Sequence, residues 1–600
     1  MPAYTAPIRD TKFVLEEIVK LERHGNLPGF ADAGPDTVQA ILEEGGKFVE
    51  GVLFPLNHSG DKEGCMRAED GSVTTPKGFK DAYRQFVEGG WGTLGAPAEY
   101  GGQGLPHAVS MAFEEYMCAG NMAFAMYPGL THGAIAAINV RGSDTQKQTY
   151  LPKMIEGTWT GTMNLTEPHC GTDLGLIRTK AKDKGDGSYA ITGTKIFISA
   201  GEHDMAENII HLVLAKREGA PDNVKGISLF VVPKVLVNTD GSLGERNGVS
   251  CGSIEEKMGI HGNATCVMNY DEATGYLVGE PERGLEAMFI MMNAARLGVG
   301  VQGLGQAEIA YQNAVSYALD RRQGRALTGA KDEEAKADPI IVHPDVRRML
   351  MDARAFTEGA RALTLWAALQ IDLSHSAATE EEREAADDVV GLLTPVIKGY
   401  FTDKGFETAV NAQQVYGGHG YVQEWGMEQY VRDARIAQIY EGTNGIQAMD
   451  LVGRKLGRKG GKALMQFAAL VNEEIETAKA DEALQPLAEK LEKAGGELQA
   501  ATMWLMQNGM ANPNNAGAGA APYMHMMGIV SLGLMWLKMA RAAQSHLANG
   551  AAGDSFYEAK LVTARYYMDR FLPDVGALRR KLESGAETMM ALPAESFART

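Results

Sequence analysis

The chain has 600 residues, 45% hydrophobic and 22% charged, a composition that excludes disordered and fibrous classes and a length that excludes a small binding module. Its 57 basic and 76 acidic residues leave a net charge of -19, without the positive footprint that nucleic-acid binding requires. Cys65, Cys118, Cys170, Cys251 and Cys266 are odd in number and contain no CxxC pair, which argues against a disulfide framework or thiolate zinc site and for a reducing, cytoplasmic setting.

The opening thirty residues are interrupted by Asp10, Lys12, Glu16 and Glu17, so no signal-peptide apolar region is expected there. From about Asp36 to Glu156 the apolar residues recur at helical spacing, as in Phe79, Tyr83 and Phe86, which predicts an all-helical block. Between Thr158 and Glu280 the texture changes to short β-branched and aromatic runs: Tyr189 to Thr192, Lys195 to Ser199, Ile209 to Ala215 and Ile227 to Val237. Gly193-Thr194 and Gly219 to Asn223 read as the turns between them. Helices long enough for a doubly wound sheet do not separate these runs, so antiparallel pairing is expected.

Helical spacing returns from Leu285 to about Leu456, with a polar loop expected at Gly324 to Asp338. Gly457 to Gly461 reads as a hinge, followed by a Met- and Ala-rich helical appendix in which Asn512 to Ala521 reads as a low-complexity loop. The apolar run Met526 to Leu537 is shorter than the roughly 20 residues a bilayer demands and is read as a buried helix. Gly298 to Gly303 fits GxGxxG, but it lies inside a helical pattern with no strand before it, so close helix packing is the reading. The histidines form no HExxH or i, i+4 pair, and no metal site is expected; GxSxG and Walker-type loops are absent as well.

The informative stretch is Asn164-Leu-Thr-Glu-Pro-His-Cys-Gly-Thr-Asp173, where helix gives way to strand. It resembles the flavin-binding signature of the acyl-CoA dehydrogenase family. Further matches follow in order: Gly193-Thr-Lys-Ile-Phe-Ile-Ser-Ala-Gly201, Lys257-Met-Gly-Ile260, Asn293-Ala-Ala-Arg296 with Tyr317 to Gln323, Gln414-Val-Tyr-Gly-Gly-His-Gly-Tyr421, and Asp433 to Gln447 with its Ile-Tyr-Glu-Gly-Thr core. The resemblance implies an α+β multidomain fold. A helical domain occupies 1–158, an antiparallel β-barrel 159–280, a helical bundle 281–461 and an added helical domain 462–600.

It also implies FAD as cofactor, contacted by Met163, Leu165, Thr166, Gly171, Thr172, Phe197, Ser199 and Thr443. Arg321, Gln414 and Gly418 would reach the cofactor of a second subunit, because an arginine fork suits a pyrophosphate. Glu441 would be the base that takes the α-proton of an acyl-CoA thioester while flavin N5 takes the β-hydride. Some family members place the base on the earlier helix, but Ala295 stands there. The thioester carbonyl would accept hydrogen bonds from the Glu441 backbone N–H and the flavin ribityl hydroxyl. Thr172, Asn293 and Arg296 match positions that contact CoA or brace its pocket.

The opening fifteen residues, the His169-Cys170 variant, the 324–338 insertion and the appendix resemble one subgroup of about this length. They imply 3-methylmercaptopropionyl-CoA as substrate, oxidised to methylthioacryloyl-CoA in dimethylsulfoniopropionate breakdown. A short-, medium- or long-chain fatty acyl-CoA is the alternative; an acyl-CoA oxidase and a non-catalytic helical scaffold are the rival classes. An electron-transferring flavoprotein is the expected electron acceptor. A homodimer is the expected assembly, with a tetramer as the alternative.

Overall fold

The computed structural model describes residues 2–598, which divide into two compact units. One comprises Ala40–Leu105 and Phe113–Gly298; the other comprises the residues up to Gln39, Pro106–Ala112 and the chain from Val299 onward.

In the first unit, the helical spacing of Phe79, Tyr83 and Phe86 puts all three rings on the buried face of helix Phe79–Glu88. They close on Phe124 of helix His107–Arg141 at 5.8 to 6.4 Å between centroids, the tilted and edge-on spacing that aromatic quadrupoles favour. Helix Asp144–Glu156 begins at a reciprocal Ser143–Gln146 capping box. The block is not purely helical, because Met66–Arg67 and Val73–Thr74 pair as a short antiparallel hairpin.

Trp159 opens a sheet whose pairings close a ring. Thr265–Val278 pairs antiparallel with Tyr189–Ser199 and with Ile227–Pro233, and Asn208–Arg217 joins Ile227–Pro233 to Lys180–Asp183, which returns to Tyr189–Ser199. The expectation of antiparallel pairing needs correcting, since Asn208–Arg217 runs parallel to both Trp159–Asn164 and Lys180–Asp183. Parallel neighbours need a long crossover, and the Tyr189–Ser199 strand supplies it between the latter pair. The same strand corrects the turn expected at Gly193-Thr194. Gly193 sits mid-strand opposite Tyr270, and its role is close approach, because a Cβ there would collide with Thr179. Ile209 to Ala215 is apolar apart from His211 because strand Asn208–Arg217 is buried along nearly its whole length.

The second unit is helical. Long helices Pro344–Ser376, Glu380–Val415 and Pro513–Ala548 pack on one another, and Val299 to Asp320, the C-terminal part of helix Gly284–Asp320, meets Glu380–Val415. Gly300 and Gly303, from the GxGxxG match, lie in this helix and face Ile397 and Phe401 of helix Glu380–Val415. The stretch Asn512 to Ala521 is not a loop. Asn512 caps Pro513–Ala548 through Asn514 N–H at 3.0 Å, and proline suits the first helical turn, where its missing N–H costs nothing. The apolar stretch within this helix is buried, with Trp536 donating to the Ala355 carbonyl at 2.8 Å. The 324–338 insertion is ordered around buried Asp338, whose oxygens accept from the backbone N–H groups of Ala326, Lys331 and Asp332, each at 2.9 Å.

The crossing of Gly303 and Gly405 is the tightest test of this packing, since a Cβ at Gly405 would collide with the Gly303 carbonyl. Gly405→Ala should therefore destabilise the protein by about 1–3 kcal/mol through overpacking against backbone, read as a lowered Tm without loss of helix content.

Candidate functional site

The segment Leu165 to Asp173 is held by a buried ion pair. Glu167 makes a tight turn with Cys170 through two backbone hydrogen bonds of 3.0 Å. Its carboxylate accepts from the N–H groups of Arg178 (2.7 Å) and Thr179 (3.0 Å) and from the Thr179 hydroxyl (2.6 Å). Lys195, fully buried on strand Tyr189–Ser199, donates to Glu167 at 2.9 Å and to the Leu165 carbonyl at 2.9 Å. Burial pushes the Glu167 carboxyl up, but the Lys195 charge, the Thr179 hydroxyl and the Arg178 amide outweigh it and hold it below the usual carboxylate range. Burial pushes the Lys195 ammonium down, against the pull of Glu167. His169 and Cys170 stand beside this carboxylate, with donor atoms of the three residues within 4.8 Å of one another. That grouping is not visible in the spacing of the histidines, and the Lys195 ammonium supplies positive charge to it.

The Ile196 N–H donates to the Thr166 carbonyl at 2.9 Å, which ties the Met163 to Thr166 stretch to the strand bearing Phe197 and Ser199. Between Lys195↔Met268 and Ile198↔Cys266 the register shifts, so Ile196 and Phe197 together oppose Val267. This β-bulge puts Phe197 at φ 58° with the residue 59% exposed. A strained, non-glycine residue that presents a bare aromatic ring is the kind of feature that marks a ligand surface. Thr166 and Ser199 are half-buried, and Gly171 and Thr172 lie exposed just after the turn. Asn293 is exposed and Arg296 buried on helix Gly284–Asp320.

In the helical unit, Arg321, Gln414 and Gly418 are all exposed. They are drawn into one region by Tyr317, which stacks on Tyr416 at 4.0 Å between centroids and hydrogen-bonds His419 at 2.9 Å. Gly417 and Gly418 leave open space where side chains would stand.

Glu441 lies on the turn between helices Met427–Ala437 and Asn444–Asp450, with Thr443 as N-cap of the second. Glu441 (φ 56°) and Gly442 (φ 83°) are successive left-handed residues, and Glu441 is half-buried. Their carbonyls are pinned. Gln447 donates to Glu441 O at 3.0 Å and to Gly442 O at 3.2 Å, and the buried Lys398 ammonium donates to Gly442 O and Asn444 Oδ1, both at 2.8 Å. Asn444 donates to Gly399 O (3.1 Å), Thr402 Oγ1 (2.9 Å) and Asp403 Oδ1 (2.7 Å). Tyr440 donates to Gln302. Lys398 is legible in hindsight as a lone cation within an apolar helical run, Thr394 to Phe401; Asp403 carries no such signal.

Four consecutive segments match family descriptions. Residues 36–158, 162–273 and 282–456 match "Acyl-CoA dehydrogenase" N-terminal, middle and C-terminal domains, and 467–593 match "Acetyl-CoA dehydrogenase C-terminal like". The chain belongs to the acyl-CoA dehydrogenase family. This acyl-CoA dehydrogenase is 44% identical to a 3-methylmercaptopropionyl-CoA dehydrogenase of Ruegeria pomeroyi, over 98% of the chain and 99% of the relative. It is 35% identical to the broad-specificity linear acyl-CoA dehydrogenase FadE5 of Mycobacterium tuberculosis over the whole of both chains. Its fold matches an acyl-CoA dehydrogenase from Bacillus anthracis crystallised with FAD, at TM-score 0.73 and 21% identity, covering 91% of this chain and 88% of that one.

Family membership makes this acyl-CoA dehydrogenase an FAD-dependent oxidoreductase. Its residues fit that cofactor. The bare Phe197 ring suits a flat aromatic system, the open backbone at Gly417 and Gly418 admits a close ligand, and the exposed Arg321 suits a pyrophosphate.

Removing the Lys195 ammonium strands a buried carboxylate, which typically costs about 3–5 kcal/mol. Lys195→Met should show a clearly lower Tm and a reduced ratio of flavin to protein absorbance after purification. The lowered Glu167 pKa contributes stability that is complete above the ordinary value of about 4.3. That contribution is lost as pH falls through the folded-state value, so the acid limb of parental Tm against pH should flatten in the variant.

Proposed function

We propose that this acyl-CoA dehydrogenase oxidises 3-methylmercaptopropionyl-CoA to methylthioacryloyl-CoA. The reading is supported by 44% identity to the Ruegeria pomeroyi enzyme across nearly the full length of both chains. The observation that carries the chemistry is the Glu441 turn: a half-buried carboxylate on two left-handed residues whose carbonyls are fixed from helix Glu380–Val415 and from Gln447. A base held in this way keeps its position while the proton moves, which is where orientation contributes most.

Glu441 takes the α-proton, the α,β double bond forms, and the β-carbon gives up its hydrogen with both electrons. Bound FAD supplies the acceptor for that hydride. The Glu441 backbone N–H polarises the thioester carbonyl, so negative charge develops on an oxygen facing a fixed donor. The residues assigned to the cofactor are Met163, Leu165, Thr166, Gly171, Thr172, Phe197, Ser199 and Thr443. Arg321, Gln414 and Gly418 serve the cofactor of a second copy in a homodimer. Thr172, Asn293 and Arg296 hold the CoA portion. The electrons leave to an electron-transferring flavoprotein in the cytoplasm.

Glu441→Gln should give a folded, yellow protein whose dehydrogenation falls by about a thousandfold, within the range typical of a lost general base. Stopped assays with a dye acceptor check this, and retained turnover removes Glu441 from the role. A substrate panel under the same conditions should give the highest kcat/KM for the methylthio thioester. A maximum at butyryl-CoA or octanoyl-CoA would assign the chain to linear fatty acyl thioesters instead, in keeping with the FadE5 relative. Stoichiometric peroxide without added acceptor would reassign it to the oxidases.

A further inference from the structure

We propose that His525, in the C-terminal appendix, is a positioning residue for the Glu441 turn and acts through Asp403. The proposal rests on the reading of Glu441 as the base. Gln438 and Asn444 stand three residues before and after Glu441, and the Asn444 N–H donates to the Gln438 carbonyl at 3.1 Å, closing the loop between them. Both side chains then converge on one atom: Asp403 Oδ1 accepts from Gln438 Nε2 and from Asn444 Nδ2, each at 2.7 Å. The other oxygen of the same carboxylate, Oδ2, is met by His525 Nε2 at 2.8 Å. One carboxylate therefore clamps both ends of the segment that carries the base, and the appendix fixes the carboxylate.

The chemistry of the three partners sets the direction of each bond. Burial pushes the Asp403 carboxyl up, but the hydrogen bonds from His525, Gln438 and Asn444 outweigh it and hold it below the usual range. Ionised, it only accepts, so Nε2 of His525 carries the hydrogen. A carboxylate has a broad, two-fold torsion about its last bond. Without a donor on Oδ2 the group can rotate and trade its oxygens, and the hydrogen bonds to Gln438 and Asn444 lose their fixed geometry. The position of His525 is set by packing. Its ring lies edge-on to Tyr400 at 5.4 Å, Met524 fills the notch above Gly399, and Gly528 lets the appendix helix approach the Tyr400 ring. Tyr400 and Gly399 neighbour Lys398 on the helix that pins Gly442.

The test compares His525→Ala, His525→Gln and the parent as flavin-loaded full-length enzymes on the best substrate of the panel. Misplacing a reacting group by about 1 Å costs on the order of a hundredfold in rate, so H525A should lose about ten- to a hundredfold in kcat with KM, Tm and flavin content near parental values. H525Q, whose amide can donate to Oδ2, should recover kcat to within about threefold, and added imidazole should partly restore H525A. H525A with parental kcat, or H525Q as slow as H525A, overturns the proposal. If H525A loses its fold, His525→Phe keeps the ring against Tyr400 without the donor and takes its place under the same criteria. E441Q assayed alongside separates the two ideas: turnover in E441Q overturns the base assignment, whereas an inactive E441Q with an unimpaired H525A overturns the positioning role alone.

Discussion

A carboxylate-bearing residue set on a left-handed turn instead of a helix creates a backbone problem, and the neighbouring helices answer it. Left-handed conformation costs an ordinary residue about 1–2 kcal/mol, and the turn at Glu441 and Gly442 has no ladder of its own to bond their carbonyls. Lys398 and Gln447 bond them instead. The solution is reciprocal. A buried ammonium needs acceptors as much as the carbonyls need donors, and leaving either unmet carries the full cost of desolvation. Asn444 adds a second set of bonds to the same helix, so the turn is over-determined and its strained residues persist.

The same device recurs in the unit that contains the sheet. There the buried lysine is Lys195, the fixed carbonyl is Leu165, and the strained residue is Phe197 at a bulge. Glu167, which the resemblance motif carries without assigning it a role, neutralises the lysine and gathers the amides of Arg178 and Thr179. In both places a cation removed from water bonds a backbone carbonyl, and the strained residue, Glu441 or Phe197, lies close to the anchor and not on it.

The appendix is built into the helical unit by comparable means. Asp10 near the N-terminus meets Arg361 and Lys560, and these reach Glu308 at 2.9 Å and Glu358 at 2.7 Å respectively. In the sequence, Asp10 reads only as an interruption of an apolar run. The loop expectation at Asn512 to Ala521 failed for a related reason. Glycine and asparagine lower intrinsic helix propensity, yet Gly519 is where Leu505 and Leu582 pack close, and Asn512 is a cap. Gly193 likewise reads as a turn residue when the demand on it is steric, from the neighbouring strand.

The sequence by itself determined the succession of helical, stranded and helical regions and the family, because hydrophobic periodicity is local and the motifs keep their order. The family resemblance also singled out Glu441, and Gly442 followed by Thr443 or Asn444 as a cap marked a helix junction there from neighbours alone. Tertiary structure decided what holds those residues still. Lys195 to Glu167, Lys398 to Gly442 and His525 to Asp403 join positions 28 to 122 residues apart. A polar side chain in an apolar helix reveals its purpose only when a partner from elsewhere in the chain arrives within hydrogen-bonding distance.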